Sequence, residues 1–215
     1  MQTQELPTGI ITFLFTDLEK STDLWEEYPQ EMKSALARHD AILKSAVESE
    51  AGFVVKTTGD GLHAAFPSAI NSIKAVLASQ LALISENWGA TGPLRVRMAL
   101  HSGEAELRDG DYYGSVVNRA ARIMGAASGE QILVSKSTAD LVNNQLPDEL
   151  SLLDLGQHRL RGLNRPEMLY QLLHPDLPFE FPALKTSSYV PNNLPVEMTS
   201  FIGRTRELAD IKQLL

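Results

Sequence analysis

No cysteine occurs among the 215 residues. That removes disulfides, thiolate metal sites and thiol nucleophiles together, and it suits a cytoplasmic setting. Long apolar runs are also missing: no stretch approaches the roughly 20 residues a membrane span needs. The start, Met1-Gln-Thr-Gln-Glu, is not the basic-then-apolar pattern of a signal peptide. Basic residues are in the minority, 19 against 27 acidic, for a net charge of -8. An acidic chain has no general attraction for nucleic-acid phosphate, so no nucleic-acid partner is expected for this segment. The five histidines are scattered (His39, His63, His101, His158, His174), and none has a partner at three- or four-residue spacing, which argues against a histidine metal site. What the chain does have is 43% hydrophobic and 21% charged residues. That composition packs a core, and the length suits one domain with an appendage.

Residues 9–18, GIITFLFTDL, form a β-branched and aromatic run ending at a polar point, the pattern of a buried strand. A helical stretch follows, with apolar positions Met32, Leu36, Ile42, Leu43 and Val47, and Gly52 stops it. In FVVKTTGDGLHAAF, two apolar runs flank Gly59-Asp60-Gly61, a tight hairpin signal. Helical periodicity returns at Ile70, Ile73, Val76, Leu77 and Leu81. LRVRMALHSGEAEL then alternates as a strand, Asp109-Gly110-Asp111 turns the chain, and residues 114–127 read as a helix. Gln131 to Val134 is a short strand, Ser135 caps a helix through Val142, and late strands are expected near 152–155 and 167–173. This order predicts an α+β fold of the ferredoxin-like group, a mainly antiparallel sheet with helices on one face.

After a short lead (1–8) and the main domain (9–174), the composition shifts. Five prolines fall within residues 175–195, which reads as an extended linker over 175–198. Residues 199–215 resume helical periodicity but are too few to bury a core, so they read as the start of a further domain.

Four features carry chemistry. Asp17 stands where an apolar strand ends, a position from which a carboxylate can hold a hard cation such as Mg²⁺. The following residues, Leu18 to Thr22, open a helix whose N–H groups can receive phosphate oxygens. Asp60 tips the hairpin; if its strand neighbours that of Asp17, the two carboxylates repel unless a cation lies between them. Such a pair is a common way to hold two metals for phosphoryl displacement. Lys56 and Asp111 supply a donor and an acceptor, complementary to the N1 acceptor and N6 donor of adenine. Asn118 and Arg122 are four apart and share a helix face, with Arg119 on another; an arginine there can neutralise charge on a transferring phosphoryl group. Each feature has an ordinary structural reading as well: a helix cap for Asp17, a turn former for Asp60 and Asp111, a solvated strand residue for Lys56, and exposed helix polars for Asn118 and Arg122.

Taken together and in order, the motifs FTDLEKST (15–22), KTTGDGLHAAF (56–66), MALHSGEAE (98–106) and DYYGSVVNRAARI (111–123) resemble the catalytic domain of class III adenylate and guanylate cyclases. The likeness is to the bacterial branch that precedes large NTPase-containing regulators, and it covers about residues 9–174. It implies that Asp17, Asp60 and the Leu18 carbonyl hold two divalent metal ions (Mg²⁺ or Mn²⁺), with Glu19, Lys20, Ser21 and Thr22 on the substrate phosphates. It further implies that Lys56 and Asp111 read adenine, Asn118 aligns the ribose and Arg122 stabilises the transition state. Arg161 takes a position where the family often has lysine, against the terminal phosphates; the two cations bind phosphate with different geometry.

In that family the site forms between two chains. The implied activity is therefore conversion of ATP to 3′,5′-cyclic AMP and pyrophosphate by a homodimer. NNLPVEMTSFIGRTREL resembles the lead-in to an NTPase domain and implies C-terminal regulatory domains. Two alternatives stay open: a catalytically weak nucleotide-binding dimerisation module, and a guanylate cyclase. The GGDEF-like signature of diguanylate-forming enzymes is absent.

Overall fold

The structure, a computed structural model, describes residues 6–186. The predicted start of a further domain (199–215), and the linker from residue 187 onward, lie outside the described residues.

Strand β1 (Ile10–Leu18) is the axis of the molecule. Its alternation is buried on both sides. Leu14 and Leu18 point into one core with helices α2 (Glu31–Ser49) and α3 (Ala69–Ser85). Ile11 and Phe13 point into another. Beside β1 lie the hairpin β2 (Phe53–Thr58) and β3 (Gly61–Phe66) on one flank and β4 (Val96–Glu104) on the other. Then come β7 (Ile132–Ser135), β9 (Glu167–Leu173) and β8 (Ser151–His158). The sheet order is β2-β3-β1-β4-β7-β9-β8, antiparallel except where β7 runs parallel to β4. This is the expected α+β architecture.

Helices α2, α3 and α5 (Lys136–Val142) cover the face formed by Leu14, Met98, Leu100 and Val134. Ser135 caps α5 as predicted, its hydroxyl accepting from the Thr138 N–H at 3.4 Å. The expectation that all helices share one face needs correction. Helix α4 (Ser115–Ala126) lies on the opposite side, because Ala120, Ile123 and Ala126 form a buried stripe that packs on Phe13, Ala99 and Leu133.

Two local features were not anticipated. The long helical stretch is split at Pro29, giving a separate short helix α1 (Ser21–Glu27), since proline has no N–H to continue the first helix. The long alternating strand also stops at Glu104. Residues β5 (Glu106–Arg108) and β6 (Asp111–Tyr113) instead form their own two-stranded ribbon. Its turn residues Asp109 and Gly110 both have positive φ, 52° and 76°, as a two-residue hairpin turn requires.

Gly61 permits a close approach of β3 to β1. A Cβ added there would meet the Thr16 carbonyl oxygen at 2.6 Å. On the same pair of strands, the Leu62 N–H donates to Thr16 Oγ1 at 2.9 Å. A Gly61→Ala protein is therefore expected to lose about 1–3 kcal/mol of stability, read as a lower urea midpoint, while a control Gly125→Ala, in helix α4 with nothing within 4 Å of its Cβ, keeps the parent stability or gains up to about 1 kcal/mol.

Candidate active site

The hairpin approach brings the two predicted carboxylates together. The β1–β3 register pairs Phe15 with His63 and Leu14 with Ala64. Continuing it places Asp17 opposite Gly61, next to Asp60. Asp17 is not a helix cap: the cap position of α1 is Lys20, with φ 59° and no side-chain cap bond. Its carboxylate instead accepts from Arg97 of β4, from Nε at 2.9 Å and from Nη2. Asp60 Oδ2 is buried with no hydrogen-bond partner among the described residues.

A buried, unpartnered carboxylate oxygen beside a second carboxylate is what a hard cation satisfies, so the residues fit a divalent ion. No group of three acidic, histidine or cysteine side chains is gathered among the described residues. Backbone carbonyl, water and ligand oxygens would complete the shell, as Mg²⁺ ordinarily allows. Arg97 is a site residue that the sequence reading missed. Arg97 faces Asp17 across the β1–β4 pair, a partnership that becomes visible only once the strand order is known.

Lys56 and Asp111 are 55 residues apart in sequence and form a direct ion pair. Two separate devices deliver them. Lys56 sits on β2 after a bulge between Val54 and Lys56, and Asp111 opens β6 of the small ribbon. The ribbon is anchored by Tyr112, whose hydroxyl donates to the Pro7 carbonyl at 2.6 Å and whose ring meets Phe13 edge-on at 5.0 Å. The Lys56 ammonium, with the Tyr112 N–H, holds the Asp111 carboxyl below its usual range. The pair is a charged donor and a charged acceptor side by side on a partly exposed surface.

Asn118 and Arg122 are exposed, in line with Ser115 and Gly125 along one face of α4. Arg119, on another face, is a structural residue and pairs with Glu167 of β9. The turn after β8 carries the exposed Arg161, and its Gly162 approaches Arg122, with 3.9 Å between Arg122 Nε and a Cβ built on that glycine. The structure thus gathers Arg122 and the Arg161 turn, and separately Asp17 with Asp60 and Lys56 with Asp111.

In the segment after Asp17, the Glu19 N–H is taken by the Arg95 carbonyl at 2.9 Å, and the Glu19 carboxylate accepts from Lys185 at 2.6 Å. No side chain caps the start of α1, so its first-turn N–H groups are open to an anion.

Behind the Lys56–Asp111 pair lies His63, fully buried and stacked on Phe15 with ring centroids 4.3 Å apart. Neither ring nitrogen has a partner among the described residues. Burial, with the Lys56 charge adding to it, lowers its pKa to about 4. His101, bonded through Nδ1 to Ser135 at 2.8 Å, is also lowered to about 4, by burial and then by Arg119.

Fold and site together present two adjacent carboxylates, a Lys56–Asp111 ion pair and two exposed arginines on an α+β domain. The family model described as the adenylate and guanylate cyclase catalytic domain matches residues 3–174, and the chain belongs to that family. An uncharacterized protein of Mycobacterium tuberculosis is 39% identical over 94% of this chain and 70% of its own length. An adenylate cyclase of Podospora anserina is 32% identical over 77% of this chain, which corresponds to 10% of that protein. Among solved structures, an adenylate cyclase of Trypanosoma brucei in its monomeric state superposes with a TM-score of 0.79 at 27% identity, covering 86% of this chain and 98% of that one. The adenylyl cyclase CyaB of P. aeruginosa gives 0.66 at 26% identity, covering 78% and 96%. No helix among the described residues is long and apolar enough to cross a membrane.

The two neutral histidines make stability depend on pH. Their folded pKa lies below that of the unfolded chain, so the unfolded state binds more protons between pH 6.5 and 4 and stability falls as pH falls through that window. By pH 5 each is expected to cost about 2 kcal/mol relative to neutral pH. A His63→Leu protein should lose about half of that dependence, measured as the change in urea midpoint between pH 7.5 and 5.

Proposed function

We propose that this domain is an adenylate cyclase that converts ATP to 3′,5′-cyclic AMP and pyrophosphate at sites shared between two copies of the chain. The observation that carries the choice of ATP is the Lys56–Asp111 pair. Lys56 donates to adenine N1 and Asp111 accepts from the N6 amino group; guanine, with O6 and N1–H, presents the opposite polarity. Adenylate cyclases among the relatives agree with this reading.

The ribose 3′-hydroxyl attacks the α-phosphorus and releases its proton to solvent, the bond from that phosphorus to the α–β bridging oxygen breaks, and pyrophosphate leaves. Asn118 holds the ribose, and Arg122 neutralises charge on the transferring phosphoryl group. Arg161 and the start of α1, from Lys20 through Ser21 and Thr22, meet the β- and γ-phosphates. Asp17, Asp60 and the Leu18 carbonyl would hold divalent cations, which would supply Lewis-acid polarisation and charge stabilisation. Catalysis on this account is positioning and electrostatics, without a covalent intermediate. The exposure of Asn118 and Arg122 supports the shared site: this α4 stripe is turned outward rather than into its own domain. In the dimer, Asp17, Asp60 and the start of α1 from one protomer face Lys56, Asp111, Asn118 and Arg122 of the other.

The test is formation of cyclic nucleotide from ATP or GTP with Mg²⁺ or Mn²⁺ across protein concentrations. Cyclic AMP from ATP, with specific activity rising as the chain dimerises, is the expected result. No product from folded, dimeric protein would shift the reading to a nucleotide-binding dimerisation module, and product from GTP alone would make it a guanylate cyclase. Asp17→Ala and Asp60→Ala are each expected to reduce turnover at least 100-fold, on the order seen when a charge-stabilising group is removed. Mixing Asp17→Ala with Arg122→Ala chains should restore activity, because one intact composite site can form in the mixed dimer. A mixture as inactive as its parents would show that the site is not shared.

A further inference from the structure

The proline-rich stretch that follows the catalytic domain is built onto it. Leu177 is buried in the α2/α3 core. The chain then crosses to the α4 face, where the Phe179 carbonyl accepts from the Gln171 side chain at 2.9 Å. Gln171 is itself nearly fully buried and accepts from Gln131 at 2.8 Å. Leu184 packs on the cluster of Ala99, Ile123, Ala126 and Leu133. At Lys185 the backbone N–H donates to the Ala126 carbonyl, in the last turn of α4, at 3.0 Å. Its ammonium donates to Glu19 at 2.6 Å. One residue thus ties the end of the helix that carries Asn118 and Arg122 to the segment that carries Asp17 and Leu18. The family match ends at residue 174, so this strap is outside it.

We infer that residues 177–186 are a strap belonging to the catalytic domain, and that Lys185 is a positioning residue which sets the phosphate-binding segment through Glu19. This rests on the assignment of that segment to metal and phosphate in the proposed function. The Glu19 carboxylate is two residues from Asp17, accepts from the Gly129 backbone N–H, and lies within the field of Arg97. Held by Lys185, it stays ionised with its charge compensated and is turned toward the strap. Released from Lys185, it keeps only the Gly129 N–H and becomes an uncompensated negative charge beside Asp17 that competes for Arg97 and repels the triphosphate. A regulator joined to the strap would act on the site by drawing Lys185 away from Glu19.

The experiment compares the whole chain with Lys185→Met, which keeps most of the side-chain length without the charge, and Lys185→Arg, which keeps the charge. Lys185→Met should raise the KM for ATP on the order of fivefold, as expected for one partly exposed ion pair, with kcat within a factor of two, and Lys185→Arg should restore the parent KM. Hydrogen exchange of the ATP-free protein provides a readout independent of activity: peptides covering residues 15–27 should exchange faster in Lys185→Met and at the parent rate in Lys185→Arg. Equal behaviour of both variants, or exchange in that segment unaltered in Lys185→Met, would overturn the inference. If the parent protein makes no cyclic nucleotide, the proposed activity fails, and the exchange comparison alone decides whether Lys185 positions the segment.

Discussion

The structure depends on how closely the β2–β3 hairpin tip can approach the end of β1. The approach is possible only because Gly61 has no side chain to meet the Thr16 carbonyl, and it is held by the Leu62 N–H on Thr16 Oγ1. From this contact follows the adjacency of Asp60 to Asp17, while the bulge between Val54 and Lys56 sets Lys56 opposite His63. Two carboxylates in this position are mutually repulsive. The chain tolerates them with Arg97 on Asp17 and leaves Asp60 with an unsatisfied oxygen. Such an arrangement costs stability and is the usual mark of a place kept for a ligand rather than for the fold.

Charge is organised in the same sense. The chain as a whole carries a net charge of -8 and gains nothing from general attraction to a polyphosphate. Attraction must come from local placement, and the cations on or near the α4 side are individually assigned. Arg97 is on Asp17, Lys56 on Asp111, Arg119 on Glu167 and Lys185 on Glu19, while Arg122 and Arg161 are displayed at the surface. Partly exposed ion pairs of this kind contribute little to stability, so their value lies in fixing the orientation of groups around the site.

Legibility in the sequence followed the range of the interactions. Strand β1 and helices α2 to α5 were readable because their signals are local: period-2 or period-3.6 burial, a Ser135 cap, a Gly52 stop and an Asp-Gly turn. The break at Pro29 and the end of β4 at Glu104 were harder, since both elements are apolar enough to be drawn as continuous. The side of the sheet taken by α4 was not readable at all, because an amphipathic helix declares which of its faces is buried but not which face of the sheet covers it. Among site residues, the order and spacing of the motifs singled out Asp17, Asp60, Lys56, Asp111, Asn118 and Arg122. Arg97 escaped because its meaning lies in a cross-strand neighbour 80 positions away. The linker was read as a spacer from its prolines, which restrict the backbone but do not reveal whether a surface is there to receive it.

By itself, therefore, the sequence determined the elements, the class of fold and the inventory of chemically able side chains, since propensity, periodicity and turn chemistry act over a few residues. Tertiary structure alone decided which of those side chains meet: Lys56 with Asp111, Arg97 with Asp17 and Lys185 with Glu19, partners 55, 80 and 166 residues apart. The physical reason is that an ion pair needs its charges within a few ångströms. Over such separations that proximity is set by strand order and by the approach of backbones, which no local pattern encodes.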